Sequence, residues 1–121
     1  MSTMTIGKKL VELCKKGKNI EAIDTLYSKE IVSIEPMAMN GPTETKGIEA
    51  VREKNKLFIK NHEIHSSEIL GPFSHGDRIA VFSKFDVTSK EREERFDMEE
   101  IAVYTIKNDK IVKEEFFYCN E

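Results

Sequence analysis

Arg95–Lys107 (RFDMEEIAVYTIK), Asn108-Asp109 and Lys110–Asn120 (KIVKEEFFYCN) are the stretch that decides the fold. Two runs rich in β-branched and aromatic residues flank a two-residue Asn-Asp connection, the pattern of a tight antiparallel hairpin. Alternation sorts the first run into two faces, with Met98, Ala102, Tyr104 and Ile106 on one and Ile101 and Val103 on the other. In the second run Ile111 and Phe117 oppose Val112, Phe116 and Tyr118. Both faces are partly apolar. A layer of helices can cover one; the other needs a partner, so a homodimer formed sheet to sheet is expected.

Upstream of the hairpin, period two continues. A charged turn, Ser89–Glu94, precedes a long strand, Arg78–Thr88, and His75-Gly76-Asp77 reads as a turn. Ile64–Leu70 reads as a strand that ends at Gly71-Pro72. Before Asn61 the period changes to that of a helix. In Lys46–Asn61, Ile48, Val51, Phe58 and Ile59 form an apolar stripe with Leu57 alongside. Met37–Thr45, with Asn40, Gly41 and Pro42, reads as a loop, and Glu30–Glu35 as a brief strand interrupted by Pro36. Ile6, Leu10, Leu13 and Cys14 mark a first helix that stops at Gly17. Asn19 reads as the cap of a second, with Ile20, Ile23, Leu26 and Tyr27 on its apolar face. Three helices followed by an antiparallel meander make an α+β domain, here one domain over 1–121 without linker or repeat.

Composition narrows function. The chain has 121 residues, 39% hydrophobic and 34% charged, enough for one core and one cavity. Apolar runs such as Ile79–Phe82 are far too short to cross a membrane, and Met1–Gly7 lacks the core of a signal peptide. The net charge of −3, with both signs interleaved, offers no footprint for nucleic acid. Cys14 and Cys119 read as free thiols in a reducing cytoplasm. No Gly-rich phosphate loop, Gly-x-Ser-x-Gly or Cys-x-x-Cys occurs, and nothing in the sequence asks for a cofactor or a metal.

The order of elements resembles the NTF2-like superfamily, and within it the SnoaL-like branch, which is similar to polyketide cyclases and ketosteroid isomerases. The resemblance rests on Leu26–Pro36 (LYSKEIVSIEP), Lys46–Arg52 (KGIEAVR), Ala102–Ile106 (AVYTI) and Asp109–Phe116 (DKIVKEEF), and covers nearly the whole chain. It implies a cone-shaped barrel, a curved, mostly antiparallel sheet wrapped around a long helix, enclosing a small-molecule pocket. It also implies a role for Glu35-Pro36, which falls where ketosteroid isomerases carry a catalytic carboxylate followed by proline. A carboxylate inside an apolar cone loses solvation and becomes a better base near neutral pH.

The family's two oxyanion donors are missing: the first-helix tyrosine falls on or beside Leu10 and the protonated acid near Ala102. Glu100, two residues before Ala102, shares its face and is the candidate second acid. Ala102, Tyr104, Phe116 and Tyr118 are candidate pocket walls. His62 and His65, close to the helix-to-strand junction, are further candidates for the pocket mouth; their spacing in an extended segment does not suit a metal. Lys84 and Asp86 share a face with Phe82 and read as a charge pair along it, in the pocket or on a solvated sheet rim, with the rim favoured. Some of Asp97, Glu99 and Glu100 are expected to face Lys84 or Arg95 across the ladder. The expected function is binding of a small, largely apolar molecule in the cone, with isomerase- or cyclase-type proton transfer by Glu35. The competing expectation is a ligand-binding or self-association module without turnover, its mouth adapted by Met37 and Met39.

Overall fold

The structure, a computed structural model, describes residues 2–36 and 43–118. Helix α1, Thr3–Lys15, opens on Ser2, whose hydroxyl accepts the Thr5 N–H at 3.1 Å. It closes in a Schellman motif. Gly17, at φ 72°, donates to the Cys14 carbonyl, and the Lys18 N–H reaches back to the Leu13 carbonyl. Helix α2, Asn19–Leu26, begins one residue earlier than a cap at Asn19 would have it. Lys18 takes the cap position without a side-chain bond, and Asn19 is helical, its Oδ1 buried and without a partner among the described residues.

Strand β1, Tyr27–Ile34, starts at the residue expected to finish the helix. Tyr27 pairs with Ile111 of β6 (Lys110–Phe117), and that parallel pairing draws it out of the helix and into the sheet. The segment expected as loop contains a short edge strand, β2 (Glu44–Lys46), antiparallel to β1; Met37 and Met39 lie outside the described residues. Helix α3, Ile48–Asn61, buries Val51 completely, but Leu57 and Ile59 are 54% and 42% exposed, so its apolar stripe reaches the core only in the first half.

Strand β3, His62–His75, leaves α3 directly and does not stop at Gly71-Pro72. Its ladder with β4 (Arg78–Ser89) shifts register between Leu70 and Phe73, which leaves Pro72 outside the pairing on an edge strand, where a missing N–H costs nothing. The same place receives α1. A Cβ on Gly7 would lie 2.9 Å from Ile79 Cδ1 and 3.0 Å from Pro72 Cβ, so glycine permits this close approach. Strand β5, Glu94–Lys107, joins β6 through Asn108 and Asp109, both at positive φ, the conformation such a hairpin turn requires.

The six strands form one open mixed sheet in the order β2-β1-β6-β5-β4-β3. Its concave face holds the core against the helices: Ile6, Leu10, Ile23, Ile31, Val51, Ile79 and Ile111 are at most 2% exposed. A bulge between Thr105 and Ile106 leaves Val112 unpaired. Ile111 therefore joins Ala102, Tyr104 and Ile106 on the inner face and does not follow Phe117 outward, as strict alternation would require. The arrangement is the α+β cone that the sequence leads one to expect.

Candidate functional site

The inner face of β1, β5 and β6 gathers three carboxyl groups. Glu114 lies in the middle of β6, opposite Ser33 of β1 and Tyr104 of β5, and is 1% exposed. The Tyr27 phenol donates to its Oε2, while Oε1 is buried without a partner among the described residues. Burial pushes this carboxyl up; Tyr27, Ser33 and Lys54 oppose the shift, and Glu35 adds to it.

Glu35 follows the end of β1. Its Oε1 accepts from Lys54 Nζ of α3 at 3.2 Å and its Oε2 from the Tyr118 hydroxyl at 2.8 Å. The same ammonium donates to Ser33 Oγ at 2.7 Å and lies 5.6 Å from the centre of the Phe116 ring. Helix α3 thus delivers one cation to the end of β1, where two acceptors and an aromatic face hold it. Burial, and then the hydrogen bond to Glu35, raise the Tyr118 phenol above its ordinary value.

Glu100, opposite Ser83 on β4, is the third carboxyl. Burial pushes it from 4.5 up to about 7, with Glu35 and Glu114 adding repulsion and Lys54 opposing. Cys14, on α1, is pushed up to about 12 by burial and then by Glu114 and Glu100, which makes it an inert thiol that faces the same interior. Tyr104, 7% exposed, is raised by burial and by Glu114, Cys14 and Glu100. Ala102 is buried beside it, and Phe116 is partly buried against the core.

Glu35, Glu100, Tyr104, Phe116 and Tyr118 thus surround one interior, with Ala102 in its wall. The histidines are elsewhere. The His62 ring stacks on Phe58 at 4.1 Å and its Nδ1 donates to the Phe58 carbonyl at 3.0 Å, which ties it to the end of α3. His65 sits in a bulge of β3, its Nε2 2.7 Å from Thr88 Oγ1 on the outer face. That face also carries the fork of Arg95 on Asp86, with contacts of 3.0 and 2.7 Å, and the Lys84–Glu99 pair at 3.9 Å. Lys84 and Asp86 therefore belong to the outer sheet surface. Among the described residues no group of three His, Cys, Asp or Glu side chains is placed to hold a metal ion.

Two members of the cluster are absent from the residues singled out by sequence. The parity that places Phe116 and Tyr118 inside also places Glu114 there, but the surrounding run Lys113-Glu114-Glu115 looks like a solvated face. Lys54 sits among the charged residues of α3 in the same way. A shallow groove of about 380 Å³ between α1 and α2, lined by Lys9, Glu12, Leu13, Glu21, Thr25 and Leu26, shares no residue with the cluster.

What such a site can do is hold and move a proton. Two carboxyls with different surroundings, one engaged by Lys54 and Tyr118 and one without a hydrogen bond among the described residues, are the arrangement by which proteins separate acid and base roles.

Comparison with known proteins agrees with the fold. A Mesorhizobium loti protein described as a candidate SnoaL-like polyketide cyclase (carbohydrate phosphatase) is 41% identical, superposes with a TM-score of 0.91, and is matched over 98% of this chain and 100% of its own. A Jannaschia protein described as a candidate SnoaL-like polyketide cyclase shares the fold at 11% identity and a TM-score of 0.76, over 97% of this chain and 88% of its own. An NTF2-like protein of unknown function from Burkholderia pseudomallei does so at 17% identity and a TM-score of 0.75, over 98% and 92%. No match was found among functionally curated proteins. The family model of the SnoaL-like domain matches residues 1–118, and with that match and the cone of the fold the chain is a member of the SnoaL-like family.

Proposed function

We propose that the chain binds a small, largely apolar molecule in the cone and moves a proton on it, chemistry of the isomerase or cyclase type. The observation that carries this reading is Glu100. It is a partly buried carboxyl raised to about 7 beside Glu35 and Glu114, without a hydrogen bond among the described residues. A base works best when its pKa lies near the working pH. Glu35 is already engaged by Lys54 and Tyr118, so it serves as the fixed partner whose charge tunes Glu100, and Glu100 carries the proton. Tyr104, Phe116 and Tyr118 supply the apolar and aromatic wall. The setting we assign is the cytoplasm, where the Cys14 thiol stays reduced.

The test is exchange of carbon-bound protons. Small cyclic ketones are incubated with the protein in D2O and followed by NMR. Wild type should accelerate exchange at the carbon beside the carbonyl, and Glu100→Gln should return it to the buffer rate. Exchange at the buffer rate with wild type would leave the cone a binding module without turnover.

We also propose that two copies pair through the outer sheet face. Leu70, Phe82, Ile101 and Phe117 lie directly opposite one another across β3, β4, β5 and β6, a continuous apolar row. Leu70, Ile101 and Phe117 are 48%, 47% and 51% exposed, and Phe73 beside them is 63% exposed.

A further inference from the structure

Donors and acceptors in the cone are not matched. Three donors are committed: Lys54 gives two of its N–H bonds to Ser33 and Glu35, Tyr118 gives its hydroxyl proton to Glu35, and Tyr27 gives its own to Glu114, which leaves the hydroxyls of Ser33, opposite Glu114, and of Tyr104. The acceptors are not. Glu114 Oε1 is buried with no partner among the described residues, on a side chain only 1% exposed. Glu100, whose charge is felt by Cys14, Tyr104 and Tyr118, takes no hydrogen bond there either. A buried carboxyl oxygen without a donor is costly, and a water, an ion or the donor group of a ligand relieves that cost.

Charge becomes one-sided as the carboxyls ionise, with three of them around a single ammonium. The interior also seats that ammonium on an aromatic face, Lys54 over Phe116, which is how proteins hold organic cations.

We propose that the polar end of the ligand is an ammonium group, received by Glu100 and by Glu114 Oε1, with the apolar body of the ligand along Tyr104, Phe116 and Tyr118. A carboxylate head would add like charge beside three carboxyls; an ammonium brings donors to Glu114 Oε1 and Glu100 and the opposite charge. The proposal rests on the reading of the cone as a ligand site and does not depend on turnover.

The experiment is equilibrium binding by isothermal titration calorimetry with three probes of one ring and different heads: cyclohexylammonium, cyclohexanol and cyclohexanecarboxylate, at pH 8. The ammonium should bind at least about tenfold more tightly than the alcohol, with the carboxylate weakest. Glu114→Gln should bring the ammonium down towards the alcohol while leaving the alcohol unchanged.

Should that variant fail to fold, proton release from wild type decides. Glu100 faces Cys14 of α1, Glu35 just past β1, Lys54 of α3, Glu114 of β6, Tyr104 of its own strand and Tyr118, with Ser83 opposite on β4. A cation arriving among these groups ionises Glu100. Near neutral pH ammonium binding should therefore release protons, read from titrations in two buffers of different ionisation enthalpy, and the alcohol none.

Equal affinity for ammonium and alcohol, preference for the carboxylate, binding of none of the three, or ammonium binding without proton release each overturns the proposal. Ammonium selectivity without proton exchange on ketones would retain this proposal and remove catalysis; exchange without selectivity would do the reverse.

Discussion

The Lys54 ammonium stands 3.2 Å from Glu35 Oε1, a contact between the middle of α3 and the end of β1 that puts one cation among three carboxyls. Both side chains are partly buried, 31% and 22% exposed, so solvent only partly screens the pair. Lys54→Met removes that cation, and the repulsion it leaves depends on how many carboxyls are ionised. We expect a loss of about 1–3 kcal/mol at pH 8 and a smaller loss at pH 5, where Glu100 holds its proton. Thermal melts at the two pH values measure this. Equal losses at both would mean that Lys54 acts by packing alone.

Glu100 gives the opposite sign. Its carboxyl is raised from 4.5 to about 7, so the folded chain prefers it protonated. The stabilisation from holding that proton is complete below about 4.5 and is lost as pH rises through 7. The shift corresponds to about 3 kcal/mol. Glu100→Gln should therefore raise the melting temperature at pH 8 and leave it nearly unchanged at pH 4.5, while proton exchange on the substrate is lost. In wild type the exchange rate should climb with pH and level off above 7. A variant that melts lower at pH 8 would show that the Glu100 charge is satisfied in the fold.

Tyr27→Phe isolates the buried hydrogen bond to Glu114. The ring keeps its place in β1, and the carboxyl loses its phenolic donor. A buried acceptor left without its donor costs about 1–3 kcal/mol, read as a shift in the urea midpoint with an unchanged slope. Glu114, already raised by burial, should rise further, so the loss should be larger at pH 8 than at pH 5. A loss independent of pH would place the effect in packing and not in the carboxyl.

Why these residues differ in legibility has a physical answer. Alternation in Arg95–Lys107 fixes Ala102, Tyr104 and Ile106 on the buried face because period two survives any partner arrangement. Glu35 and Glu100 stand out because each borders an apolar strand segment. Tyr27 reads as the end of a helix because its strand identity comes from parallel pairing with Ile111, a contact 84 residues away that local propensity does not encode. Glu44–Lys46 is a strand only because β1 offers it an edge. Glu114 and Lys54 are hidden by neighbours of like character, since burial of one charge in a charged run is decided by the fold. His65 differs for another reason. A bulge carries its ring to Thr88 on the outer face, and bulges leave little trace in the pattern.

The outer row makes the last prediction. Ile101 lies between Phe82 and Phe117 in register and is 47% exposed, so within one copy it contributes little to the core. In a sheet-to-sheet dimer it is central and desolvated, and an acid there would bury an unpaired charge in an apolar interface. Ile101→Glu should therefore separate the copies, converting a dimer into a monomer in sedimentation velocity at micromolar concentration. The inner-face cluster should be untouched, because side chains at odd positions of this part of β5 point away from Glu100 and Tyr104. The same substitution at Lys107, exposed at the end of β5, should leave the dimer intact and serves as the control. A wild-type chain that sediments as a monomer would remove the proposal. A variant that loses its fold together with its partner would show that the two copies share one stability.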